Sequence, residues 1–154
     1  MKNIKYLVLT FSVLFLSACN NNSDQMLIEK AGAPLLEGLG DHTHKISSNV
    51  EGVQRYFDQG MIMAFAFNHA ESIRSFKAAQ KLDPSCAMCY WGEALALGPN
   101  INVKSDGQVI MAPENRIAAF KAINKAIALS ETVSEKEQAL SLIHISEPTR
   151  PVTI

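Results

Sequence analysis

The chain is expected to fold as an all-α protein of antiparallel helical hairpins. Three observations predict this. Apolar residues recur at three- and four-residue spacing between Val50 and Ile127, the period of a helix with one buried face. Helix-start signals punctuate the chain at Ser48-x-x-Glu51, Asn68-x-x-Glu71, Pro84, Pro113 and Ser134-x-x-Glu137. No strand candidate runs longer than a few residues. The 154 residues are 47% apolar and 19% charged, enough for one domain with a core and unlike a disordered acidic tail or a coiled coil. Fourteen Lys and Arg stand against fifteen Asp and Glu, for a net charge of -1. Such a balance offers no electrostatic footprint for nucleic acid, which is excluded as a partner.

The first element, residues 1–18, reads as a secretory leader. Lys2 and Lys5 give a positive start, and Tyr6 to Leu16 follow without a charge. That run is too short to span a bilayer but suits a signal core. It ends in Leu16-Ser17-Ala18-Cys19, which resembles the bacterial lipobox. The resemblance implies cleavage before Cys19, lipidation of Cys19 and attachment to a membrane through that lipid. By likeness to Gram-negative sorting, Asn20 at the next position favours the outer membrane, with the protein facing the periplasm of the cell envelope. Residues 19–47 are expected to form a polar tether (NNNSDQ) and an irregular lead-in in which MLIEKAGAPLLEGLG is a candidate short helix interrupted by scattered Gly and one Pro.

The helical body is expected over residues 48–140. Ser48 and Glu51 are read as a capping box, opening a helix with Val50, Val53, Phe57, Gly60 and Met61 on one face. Asn68 opens a second helix with Ile73, Phe76, Ala79 and Leu82 inward. Asp83-Pro84 ends it and starts a third, which stops at Gly98-Pro99. After a loop from Asn100 to Ala112, Pro113 starts a fourth helix whose face is read as Ile117, Phe120, Ile123 and Ile127. Ser134 and Glu137 cap a fifth, with Ala139 and Leu140 as its first inward candidates.

Within this pattern Tyr56, Gly60, Ser72, Phe76, Ala79 and Pro84 fall at the offsets of a tetratricopeptide (TPR) repeat, which has a period of about 34 residues. Tyr90 and Ala94 repeat Tyr56 and Gly60 at that period, while Ala119, Ile123 and Ala126 match Ser72, Phe76 and Ala79 after an interruption in the loop. The body therefore resembles a TPR protein, a solenoid fragment of stacked hairpins. An unrelated bundle also carries small and aromatic residues, but seldom at these offsets together. The stretch AFNHAESIRSFKAAQKLDPSCAMCYWGEALALGPNIN is similar to a group of bacterial exported TPR proteins. The resemblance implies a scaffold that binds a protein or peptide in a groove lined by first helices. Here those positions are Gln54, Phe57, Met61, Met88, Trp91 and Leu95; Trp91 reads equally as core or groove wall.

Ser141 to Ile154 (SLIHISEPTRPVTI) departs from the pattern, and Pro148 and Pro151 bar a long helix. SLIHISEPTRP resembles a translated sequencing-library adapter, which implies a non-native tail on a chain that natively continues beyond about Leu140. On that reading 141–154 makes few contacts and lies extended or disordered against the hairpins; the other reading is a genuine Pro-bearing tail.

Chemistry has few other candidates. Cys86 and Cys89 remain once Cys19 carries lipid, and an even pair in an oxidising compartment permits a disulfide. The rival class is a periplasmic thiol-redox or metal protein using Cys86 and Cys89, with His42, His44 and His69 as further soft-metal ligands. The flanks argue against it: Tyr90 rather than His follows Cys89, no second CxxC is present, and the first sits in a packing helix. No G-x-S-x-G, P-loop or G-x-G-x-x-G occurs. Asp41, Asp58, Glu71 and Glu93 are scattered as on a solvated surface. No enzyme activity, cofactor or metal is expected.

Overall fold

The computed structural model describes residues 23–100, 104–105, 108–109 and 111–146. The leader 1–18, Cys19 and the end of the tail, 147–154, lie outside the described residues. The protein is all-helical, apart from a two-residue antiparallel pair in the loop after α4. Helix α1 covers residues 23–31. There follow α2 (Val53–Phe65), α3 (His69–Leu82), α4 (Ala87–Leu97), β1 (Lys104–Ser105), β2 (Gln108–Val109), α5 (Pro113–Ala128), a 3-10 turn (Ser130–Thr132) and α6 (Glu135–Ser146). Lys104 lies opposite Val109 in the strand pair. The helices pack as hairpins: α2 lies chiefly against α3 and α4 against α5, while α6 rests on both α4 and α5.

Helix α2 does not start at the expected capping box. Gly52 adopts the left-handed conformation (φ 82), which a right-handed helix cannot contain, and the Leu27 side chain lies where a Cβ on Gly52 would be. The helix therefore begins at Val53, and Val50 is exposed. The Ser48 hydroxyl is engaged elsewhere, donating to Asp83 Oδ2 at 2.6 Å.

The turn from α2 to α3 is a Schellman motif. The Asn68 amide donates to Met63 O at 2.9 Å and the Phe67 amide to Ala64 O at 3.1 Å. Phe67 occupies the left-handed position (φ 60) that glycine usually fills. Asn68 then caps α3 as its sequence predicts, its side chain accepting from the Glu71 amide at 3.3 Å. Helix α4 starts at Ala87, not at Pro84. Asp83 holds the intervening turn by accepting from the Ser85 amide at 2.9 Å, and Cys86 is the N-cap residue.

Two further expectations change. On α5, Ile117 and Phe120 are exposed, and the buried stripe is Ala119, Ala122, Ile123 and Ala126. Small side chains let α5 sit close on α4, so the alanines rather than the bulkiest residues mark its inner face. Nor does the chain become extended at Ser141. Helix α6 runs to Ser146, Ser141 is fully buried, and its hydroxyl donates to Glu137 O at 3.0 Å. Ala139 faces solvent, while Glu137, Leu140 and Ser141 are the inward positions. Ser134 and Glu137 form the expected reciprocal cap: the Ser134 amide donates to the Glu137 carboxylate at 3.0 Å, and Ser134 Oγ accepts from the Glu137 amide at 3.4 Å.

The core centres on Phe76. A Cβ on Gly60 would meet its ring at 2.8 Å, and the ring also occupies the space beside Gly92. Phe57 packs edge-on against it, with centroids 5.5 Å apart. The Ser72 hydroxyl donates to Gly60 O at 2.7 Å, tying α3 to α2 at their closest approach. Burying a phenylalanine of this kind contributes about 1.5–3 kcal/mol. Among the described residues no helix is long and apolar enough to cross a membrane.

Candidate functional site

The six residues assigned to a groove do not form an open one. Phe57, Met61, Met88 and Trp91 are buried in the core, and Gln54 and Leu95 are half-buried. Trp91 is core: its indole N–H donates to Leu140 O at 3.1 Å. Two neighbours close this face. One is α6. The other is the lead-in, which forms α1 over 23–31 and then, as expected, has no regular secondary structure, but lies packed against α2 rather than free as a tether.

After α1, the chain runs beside α2, turns back at Gly38 and Gly40 in left-handed conformations (φ 75 and 81), and returns along the same helix. On the outward pass Ala33 O accepts from the Tyr56 hydroxyl at 2.5 Å. Gln59 takes both groups of the passing backbone, its Oε1 accepting from the Leu36 amide at 2.8 Å and its Nε2 donating to Pro34 O at 3.1 Å. On the return pass Asp58 accepts from the Thr43 hydroxyl at 2.8 Å and the His44 amide at 2.9 Å. Gln54 donates to His44 O at 2.9 Å and accepts from the Ile46 amide at 3.1 Å. Glu137, ninety residues further on, accepts from the Ser47 amide at 2.8 Å and from the Ser47 hydroxyl. Ile46 is buried in the core as the apolar anchor of this pass.

The electrostatics follow from these bonds. Burial pushes the Glu137 carboxyl up, but hydroxyl and amide donors from Ser47 and Ser134 outweigh it and hold the group below the usual glutamate value. Asp83 is held low in the same way, burial being outweighed by Ser48 and Ser85. Sequence reasoning missed Asp83, Glu137 and Gln59 as members of one surface and read Asp58 as solvated. Their partners in the lead-in lie between 14 and 90 residues away along the chain, too far for a local pattern to reveal.

A second feature is an open cleft of about 790 Å³ between α3, α4 and α5, floored by Tyr90, Ala118 and Ala122 and rimmed by Lys77, Lys121 and Lys125. Glu93 at its edge pairs with Lys77 at 3.4 Å and accepts from Gln80 at 2.7 Å, so it is not an idle surface acid. Exposed Ile117 and Phe120 lie on α5 with Lys121 and Lys125.

Cys86 and Cys89 are joined as a disulfide with Cα atoms 5.4 Å apart. Both are buried, and Cys86 Sγ also accepts from the Cys89 amide at 3.2 Å, capping α4. His42 is exposed, His44 leans on the Phe57 ring with centroids 6.2 Å apart, and His69 starts α3 beside Phe67. The structure does not bring these histidines together with the cysteines. Among the described residues no group of three or more His, Cys, Asp or Glu side chains is gathered as a metal site. No protein-family model, curated protein or solved structure matches the chain.

Proposed function

We propose that the chain is a protein–protein interaction scaffold of TPR type, exported to the cell envelope, held there through a lipid on Cys19 and without enzymatic activity in these residues. One observation carries the scaffold reading. Of the six residues at TPR offsets, Tyr56, Gly60, Ser72, Phe76 and Ala79 are buried and Pro84 is exposed in the turn before α4, and Gly60, Ser72 and Phe76 make the close α2–α3 contact. Hairpins built this way do not bury their outer faces alone and serve as stacking and docking surfaces. The lysine-rimmed cleft with Ile117 and Phe120 beside it supplies an exposed, partly apolar surface of that kind. The leader, the lipobox-like Leu16-Ser17-Ala18-Cys19 and the Cys86–Cys89 pair favour an oxidising envelope compartment, with outer-membrane attachment facing the periplasm. The likeness of residues 141–154 to an adapter concerns their origin and is tested by reading the gene across Leu140.

A photo-crosslinking residue at Ile117 or Phe120, expressed in the source cell, tests the scaffold reading. A discrete crosslinked protein, absent when the probe sits at exposed Glu131, supports it; no crosslink at either position contradicts it. The rival redox or metal reading is less well supported, because both sulfurs are buried and one of them caps a helix.

A further inference from the structure

We propose that Gln54, Asp58, Asp83 and Glu137 form a reading site for an extended peptide bearing Ser or Thr hydroxyls, and that residues 43–48 occupy it in cis. A partner segment of the same chemistry must displace them. The inference rests on the scaffold reading and names what one surface of the scaffold binds.

The contacts have the character of peptide recognition. Gln54 presents its amide to the C=O of His44 and the N–H of Ile46, as a neighbouring strand would. Three carboxylates each accept from one hydroxyl of the segment: Asp58 from Thr43, Glu137 from Ser47 and Asp83 from Ser48. Asp58 and Glu137 also each take the amide of the same or the next residue. The four readers come from α2, the α3–α4 turn and α6, so the site exists only in the folded chain. The recognised pattern is hydroxyl, then apolar three residues on at Ile46, then two hydroxyls.

The same contacts define what is refused. Carboxylate acceptors favour donors, and an Asp or a phosphorylated residue at a hydroxyl position would set like charges together. The resident segment is also suited to exchange. Ile46 is its buried apolar anchor, while Thr43, Lys45, Ser47 and Asn49 are exposed. An open hollow of about 490 Å³ borders its Ser47 end, lined by Lys45, Asn49, Thr132 and Glu137, which leaves room for an incoming strand to enter beside it.

The probe is a fluorescein-labelled peptide of the sequence DHTHKISSNV, residues 41–50, followed by anisotropy against the full chain. Loosening the resident segment with Thr43→Ala/Ser47→Ala should tighten peptide binding by about tenfold over wild type, because a larger fraction of molecules has the site vacant. Adding Gln54→Ala/Asp58→Asn should abolish that binding, and a peptide carrying Asp at positions 43 and 47, two of its three hydroxyl positions, should not bind. Equal affinity for the wild type and the loosened chain, or no binding by a loosened chain of wild-type helix content, overturns the proposal. Should the loosened chain lose its helices, unlabelled peptide in excess on wild type decides instead. Faster amide exchange at His44, Ile46 and Ser47 supports displacement, and unchanged exchange refutes it. Crosslinking at Ile117 and Phe120 is independent of these readouts, so the scaffold reading stands or falls separately.

Discussion

The ring of Phe76 fills the space where a Cβ on Gly92 would lie. Phe76 sits on α3 and Gly92 on α4, so this contact sets how closely the second hairpin approaches the first. Gly60 of α2 faces the same ring, and the two glycines hold Phe76 between successive helices. Gly92→Val and Gly60→Leu should each destabilise the protein by about 1–3 kcal/mol through overpacking. Lys121→Gln, at an exposed position, should stay within about 0.5 kcal/mol. Chemical denaturation of the three variants checks this, and equal effects would mean that these faces are not in contact.

The exposed residue Phe67 should respond in the opposite direction. It occupies the left-handed position of the turn after α2 with φ 60, where a side chain costs about 1–2 kcal/mol. Phe67→Gly keeps both Schellman hydrogen bonds and should raise the thermal midpoint by a few degrees, since about 1 kcal/mol moves it by about 2–8 °C in a domain of this size. A lowered midpoint would show that the ring contributes more by its contact with His69 than its backbone costs.

The fold should weaken in acid for a definite reason. Asp83 and Glu137 are both held below their ordinary values of 3.8 and 4.5. A depressed carboxyl adds stability that is fully present above its unfolded value and is lost as pH falls through its folded one. Denaturation midpoints should therefore hold from pH 7 to about 5 and decline below about pH 4. Lys45 borders the Glu137 hollow and Lys136 lies on the same helix. Glu137→Gln should lower stability at pH 7 and flatten the acid decline; an unchanged acid slope would remove Glu137 from the explanation.

Trp91 is the only tryptophan in the chain, so its fluorescence reports on α6 directly. Ser141→Asp places a charge at a fully buried position near the Trp91–Leu140 hydrogen bond and should destabilise by about 1–3 kcal/mol or more. A red shift of the emission at native pH would mark release of α6 from α4. An unshifted emission with unchanged stability would show that residues from 141 onward do not belong to the packed domain.

The parts of this fold legible in sequence were those decided locally. Asn68 caps α3, Pro113 opens α5 and Ser134 pairs with Glu137 because both partners lie within one helical turn. The α2–α3 contact was legible because a small residue, Gly60, and a ring, Phe76, fall on facing helical stripes, as close helix packing requires. What failed was decided at long range. Ser48 has the sequence of a cap, but Asp83, thirty-five residues away, takes its hydroxyl. Of the residues assigned to a groove, Gln54 and Phe57 meet the lead-in and Trp91 meets α6. The stripe on α5 misled because alanine carries little weight in a hydropathy pattern, although it allows the closest packing.

The central claim is that residues 33–48 are a structural part of the helical domain, closing the face that the helix pattern alone leaves open. Residue-resolved hydrogen exchange on the folded chain tests it most directly. The amides of Leu36, His44, Ile46 and Ser47 each donate to a side chain of α2 or α6 and are predicted to exchange at least about a hundredfold slower than an unstructured chain, the protection of a segment held by some 2.7 kcal/mol. Exchange of all four at the unstructured rate, with α2 to α5 still protected, would contradict the claim.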